Sequence, residues 1–115
     1  MKIEIGRGRT ALSYNVTRHG KDLHIHIDGG VSHLGAVTAA TPGTCETVVF
    51  PQHKEGHLTE PLAKALANAR QCHVLVSAGV HLDDITAEEI QVILKQNEEI
   101  VKTILYALES HSDAN

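Results

Sequence analysis

The sequence has no tryptophan, one phenylalanine and two tyrosines, so aromatic residues make up only 3% of it. Too few rings are present to build a platform on which successive nucleic-acid bases could stack. No apolar run approaches the roughly 20 residues that a membrane-spanning helix needs. No cluster of lysine and arginine occurs, and the formal net charge is -4. That balance excludes the electrostatic footprint of a protein that binds nucleic acid or an anionic membrane. Cysteine is scarce too. Cys45 and Cys72 stand far apart, in neither a C-x-x-C nor a zinc-ribbon spacing, and read as free thiols of a reducing compartment. The opening stretch from Met1 to Arg9 is alternating and charged rather than signal-like, which makes the cytoplasm the expected location.

What remains is a chain of 115 residues with 42% hydrophobic content. That is enough for one domain with its own core. The expectation is a single α/β domain over residues 1–110, with 111–115 a disordered tail.

The first half alternates with a period of two. Ile3 and Ile5 alternate with Lys2 and Glu4; Leu12, Tyr14 and Val16 with Ser13, Asn15 and Thr17; and Leu23, Ile25 and Ile27 with His24, His26 and Asp28. Ala36–Ala40 and Thr44–Phe50 follow as further strands. This is the mark of half-buried antiparallel strands. The second half changes period. Leu58–Arg70 reads as a helix with Thr59 as N-cap, Pro61 in its first turn, and an apolar stripe of Leu62, Leu66 and Ala69. The nearly continuous apolar run His73–Ala78 suits a central strand covered on both faces. Thr86-Ala87-Glu88-Glu89 is a capping box, and from Ile90 the stripe Ile93, Leu94, Val101, Ile104, Leu105 and Leu108 marks a long amphipathic helix. Asn97 interrupts that stripe, either as a tolerated polar residue at its edge or as a register-setting contact in a dimer. The order β-β-β-β-β-α-β-α predicts an α+β fold: a mainly antiparallel sheet of about six strands with two helices packed on it.

The unusual abundance is histidine, with nine residues: His19, His24, His26, His33, His53, His57, His73, His81 and His111. His24 and His26 fall on the polar face of their strand, where a solvated role is the simplest. His73 reads as an edge-of-core residue. Three connections, however, combine histidine with glycine: 28–35, 51–57 and 79–84. The strand–helix–strand crossover between the second and third is expected to be parallel. The short 28–35 loop reverses the chain once and the turn at Thr41-Pro42-Gly43 reverses it again. The strands before all three loops therefore point the same way, and His33, His53 and His81 can converge at one end of the sheet.

That convergence has a coherent chemistry. Neutral imidazoles and a carboxylate suit a divalent transition metal, with His33, His53 and His81 as the imidazoles and Glu55, Asp83 and Asp84 as nearby carboxylates. Glycines let backbone N–H groups approach an anion such as phosphate, and the following helix N-terminus favours one as well. Surface or capping roles account for any one of these histidines taken singly. No G-x-G-x-x-G, P-loop or G-x-S-x-G pattern is present. Ser32 and His33 are mere sequence neighbours, and neither cysteine has the setting of a nucleophile. A binding module is therefore expected over an enzyme, with a small metal-dependent enzyme acting on a phosphorylated or carboxylated substrate as the alternative.

Gly29-Gly30-Val31-Ser32-His33-Leu34-Gly35-Ala36-Val37, His53-Lys54-Glu55-Gly56 and Gly79-Val80-His81-Leu82-Asp83 resemble the LpdD-like prenylated-flavin chaperones. These are small accessory proteins of gallate and related hydroxyarylic acid decarboxylase systems, grouped with bacterial domains similar to proteasome-assembly chaperones. The resemblance runs from about Leu23 to Leu108. It implies an α/β fold, a homodimer, and binding of prenylated FMN in support of a UbiD-type decarboxylase. It further implies that Gly29, Gly30, Ser32, His33 and Gly35 form a phosphate-facing loop, with His33, His53 and His81 as the leading metal ligands and His57 and Asp83 as second-rank ones. Because the sequence is so poor in aromatics, the flavin ring would have to rest on aliphatic and backbone surface.

Overall fold

In a computed structural model, described here for residues 1–110, the chain forms six strands and two α-helices. The strands are β1 (Lys2–Ile5), β2 (Leu12–His19), β3 (Asp22–Gly30), β4 (Ala36–Thr41), β5 (Thr44–Val49) and β6 (Val74–His81). Helix α1 (Gly56–Arg70) links β5 to β6, and α2 (Ala87–Ser110) closes the fold. This is the predicted α+β order. The expected tail, 111–115 with His111, lies outside the described residues.

The sheet order is β1-β2-β3-β6-β4-β5. β3 and β6 pair in parallel, and every other pairing is antiparallel. β6 inserts between β3 and β4, so the two strands joined by the 28–35 loop are antiparallel without being neighbours. β5 and β6 both oppose β4 and so share a direction with each other and with β3. The C-terminal ends of β3, β5 and β6 therefore lie at one end of the sheet.

Both helices pack on the same face. Tyr14, Ile25, Ile27, Val76 and Ala78 from the strands meet Leu62, Leu66, Ile100, Ile104 and Leu108 from the helices in one core. The opposite sheet face has no helix over it among the described residues. β6 is thus central but covered on one side only: Leu75 is 39% exposed, and Ser77 is shielded by its neighbours. The apolar run was expected to be covered on both faces, but the crossover helix and the final helix share a side. The absence of a covering layer also leaves β3 with the clean alternation of a one-sided sheet.

Two further differences have physical causes. α1 starts at Gly56, with Glu55 in the N-cap position but making no side-chain cap, so Thr59 is an interior residue rather than the N-cap. Thr59 is fully buried and hydrogen-bonds Thr38 at 2.9 Å, which in turn bonds Thr47 at 2.7 Å. In the stripe of α1, Ala63 and Ala67 are buried beside Leu62 and Leu66, while Ala69 is exposed. The capping box of α2 forms as expected, with Thr86 Oγ1 accepting from the Glu89 N–H at 3.1 Å and Glu89 Oε1 accepting from the Thr86 N–H at 3.0 Å. No helix among the described residues is long and apolar enough to cross a membrane.

Asn97 is neither an edge residue nor exposed to a partner. It is 3% exposed. Its Oδ1 accepts from the Tyr14 hydroxyl at 2.7 Å, and its Nδ2 donates to the Leu58 carbonyl at 2.9 Å. One side chain therefore ties α2 to the sheet and to α1. Burial pushes the Tyr14 phenol above its ordinary pKa, so it stays protonated and donating. Asn97→Ala leaves a buried hydroxyl and a carbonyl without their partner and opens a small void. The expected loss is about 3 kcal/mol of unfolding free energy, read as a lower urea midpoint with an unchanged slope.

Candidate functional site

The three loops carry their histidines to one place because β3, β5 and β6 end together. The His33 and His53 ring centroids lie 5.1 Å apart, and those of His33 and His81 lie 6.3 Å apart. At the centre is a residue that the sequence pattern marked only as a nearby carboxylate. Glu55 is 6% exposed. Its Oε2 accepts from His33 Nε2 at 2.6 Å and from the Val80 N–H at 3.2 Å. Its Oε1 accepts from the Lys54 N–H at 3.1 Å and faces His53 Nδ1 at 3.4 Å. A buried carboxylate needs such partners to stay ionised.

The glycines explain how Glu55 fits. A Cβ on Gly35 would fall 2.2 Å from the Glu55 carboxylate, and one on Gly79 would fall 1.8 Å from the His33 carbonyl oxygen. Gly30 has φ +67, and a Cβ there would meet the His81 carbonyl oxygen at 1.9 Å, while at Gly29 it would meet Leu12 at 2.8 Å. The space beside these glycines is thus filled by protein. The Gly35 N–H donates to the Ala78 carbonyl at 2.7 Å, and the Ser32 hydroxyl donates to Asp28 at 2.9 Å. Close packing accounts for Gly29, Gly30 and Gly35, which hold the loop and aim His33.

The His33 ring is fixed through both of its nitrogens. Nδ1–H donates to the Val31 carbonyl at 2.9 Å, which commits that nitrogen and turns Nε2 toward Glu55. A metal-ligating histidine characteristically has its second nitrogen fixed in this way. His33, His53 and Glu55 offer ligand atoms that all lie within 4.8 Å of one another. Two imidazoles and a carboxylate are a donor set for a divalent transition metal, with a further position left open. The other candidates sit outside this trio. His81 stands beside His33 but bonds Asp83 at 3.2 Å. Asp83 is exposed. His57 is exposed on the first turn of α1, and its N–H donates to the Lys54 carbonyl at 3.2 Å. Glu55 could have been ranked higher from sequence on one ground: it is the carboxylate two residues from His53, at the start of a helix.

His26 is half-buried rather than freely solvated, bonded to Ser77 at 2.7 Å and to Asp28 at 3.2 Å. His24 is exposed. Cys45 and Cys72 are free thiols, the former half-buried and the latter buried.

The family described as the prenylated flavin chaperone LpdD-like domain matches residues 6–109. Protein LpdD of Lactiplantibacillus plantarum is 31% identical over 99 residues, covering 80% of this chain and 73% of that protein. A crystal structure of a chaperone complex for yeast 20S proteasome assembly superposes with a TM-score of 0.54 at 15% identity, covering 95% of this chain and 96% of that one. It shows a shared fold.

The electrostatics yield a pH signature. The hydrogen bond to Val31 raises the His33 pKa, burial opposes it, and Glu55 raises it further; the net is above the ordinary 6.5. Burial alone would raise Glu55, but hydrogen bonds from backbone N–H groups and from His33 outweigh it and leave it below 4.5. The His33 contribution to stability is complete below pH 6.5 and fades as the pH rises through its elevated folded value. The Glu55 contribution is complete above pH 4.5 and fades as the pH falls through its depressed one. In metal-free protein, the urea stability difference between wild type and Glu55→Gln is therefore expected to peak between about pH 4.5 and 6.5 and to shrink on both sides. A difference that is flat with pH contradicts the pairing.

Proposed function

The chain belongs to the LpdD-like prenylated flavin chaperone family, and from that footing we propose that it is a small cofactor-binding chaperone. It binds prenylated FMN by the phosphate end, through a divalent metal, and supports maturation of a UbiD-type decarboxylase in the cytoplasm. The observation that carries this reading is the cluster of His33, His53 and Glu55, with His33 Nδ1 already engaged by Val31. A bare phosphate there would face the Glu55 carboxylate. A divalent cation held by His33, His53 and Glu55 would supply positive charge there and offset that repulsion. Ser32 and His33, on the loop after β3, and His81 stand closest to a ligand phosphate, with Gly29, Gly30 and Gly35 acting by shaping that loop. His57 and Asp83 lie at its outer margin.

The protein is proposed to act as a homodimer formed through the open sheet face. Six strands at about 4.8 Å spacing and about 20 Å length offer about 600 Å² per copy, at the lower edge of the standard interface range. Val48 and Leu75, 59% and 39% exposed, supply apolar contact there.

One observation favours a second reading. Two histidines and a glutamate with an open position form a catalytic as well as a binding arrangement. A small metal-dependent enzyme acting on a phosphorylated or carboxylated substrate would use the same residues, and chelator-sensitive turnover would mark it.

Native mass spectrometry with elemental analysis, on protein co-produced with a flavin prenyltransferase, tests the proposal. The expected result is a dimer carrying about one divalent metal and one prenylated FMN per chain. His33→Ala is expected to lose both ligands and keep the dimer. Wild-type protein that retains neither metal nor flavin contradicts the proposal.

A further inference from the structure

A cleft of about 350 Å³ opens beside the histidine cluster, between the β5–α1 loop and the start of α2. One wall is polar: Gln52, His53, Lys54, His57 and His81, with Glu55. The rest is hydrocarbon. Leu58 and Ile93 are buried within it, Val80 and Leu82 are half-buried, and Ile85 and Ile90 are 38% and 41% exposed. No phenylalanine, tyrosine or tryptophan lines it. Ile90 belongs by spacing to the core stripe of α2, yet it lines this cleft and stays partly exposed. Branched aliphatic side chains exposed beside three imidazoles and a lysine ammonium make a two-part surface. Its polar wall complements an anion, and its apolar wall complements a short branched hydrocarbon.

We infer that the cleft seats the aliphatic part of a ligand whose anionic head is held at the His33–His53–Glu55 cluster. The inference rests on the head-group reading above and adds the second half of the recognition. The absence of an aromatic wall leaves no ring to stack on, so what the cleft recognises is hydrocarbon bulk rather than a planar ring system. Small alkyl phosphates are therefore expected to rank by the size of their alkyl group.

The test uses metal-loaded wild-type protein and two phosphate probes, methyl phosphate and dimethylallyl phosphate, titrated by calorimetry, with metal content measured on the same samples. Dimethylallyl phosphate is expected to bind about tenfold more tightly or better, from the added hydrocarbon it buries. Ile90→Glu alters an exposed side chain in the first turn of α2, where a carboxylate is compatible with the helix. It is expected to abolish that preference while keeping metal content and methyl phosphate affinity. A second variant, Ile85→Ser, is expected to reduce the preference in the same direction. Equal affinity for the two probes in wild-type protein overturns the inference and leaves the head-group reading standing. Failure to hold metal or to bind either phosphate overturns both.

Discussion

The buried Glu55 carboxylate is the constraint around which this end of the molecule is built. An ionised group at 6% exposure is tolerable only when fully paired. The pairing here draws on three separate segments: the Lys54 N–H beside it, the Val80 N–H at the end of β6, and His33 from the loop after β3. Each partner makes a demand on its own loop. The chain after β3 must pass close enough that Gly79 and Gly35 can carry no side chain. A single charge thereby fixes the mutual position of the loops that bear the histidines, and it does so before any ligand arrives.

That local constraint needs a rigid frame behind it. The sheet supplies the common direction of β3, β5 and β6, and the helices supply the core on one face. Asn97 joins the layers through Tyr14 and Leu58. A polar tie in an otherwise aliphatic core favours one register of α2 over slipped alternatives, because any slip strands three polar groups in hydrocarbon. α2 in turn brings Ile90 and Ile93 beside the cluster, so the same helix that closes the core also walls the cleft.

Much of this was legible in the sequence. Period-two alternation located the strands through β3, and the capping box at Thr86 located α2. Connection lengths and crossover rules correctly gave the shared direction of the three strands. What was not legible depends on tertiary contacts. Thr59 resembles an N-cap by type, but its hydroxyl is used by Thr38 across the layer boundary. The insertion of β6 between β3 and β4 leaves no local trace in the chain. Glu55 was visible only as a neighbour of His53, since burial of a charge is set by residues 20 or more positions away. The glycines of the first loop looked suited to an approaching anion, whereas the structure fills their space with Leu12, His81 and Glu55.

His33, His53 and Glu55 are proposed to hold a divalent cation. Cobalt(II) substitution tests it most directly, because the visible d–d absorption of bound cobalt reports its ligands and geometry independently of any flavin or partner enzyme. The expected result is a saturable one-to-one titration with intense low-symmetry bands, lost in His33→Ala and displaced in Glu55→Gln, with His57→Ala unchanged. A spectrum indistinguishable from hydrated cobalt in wild-type protein would contradict it.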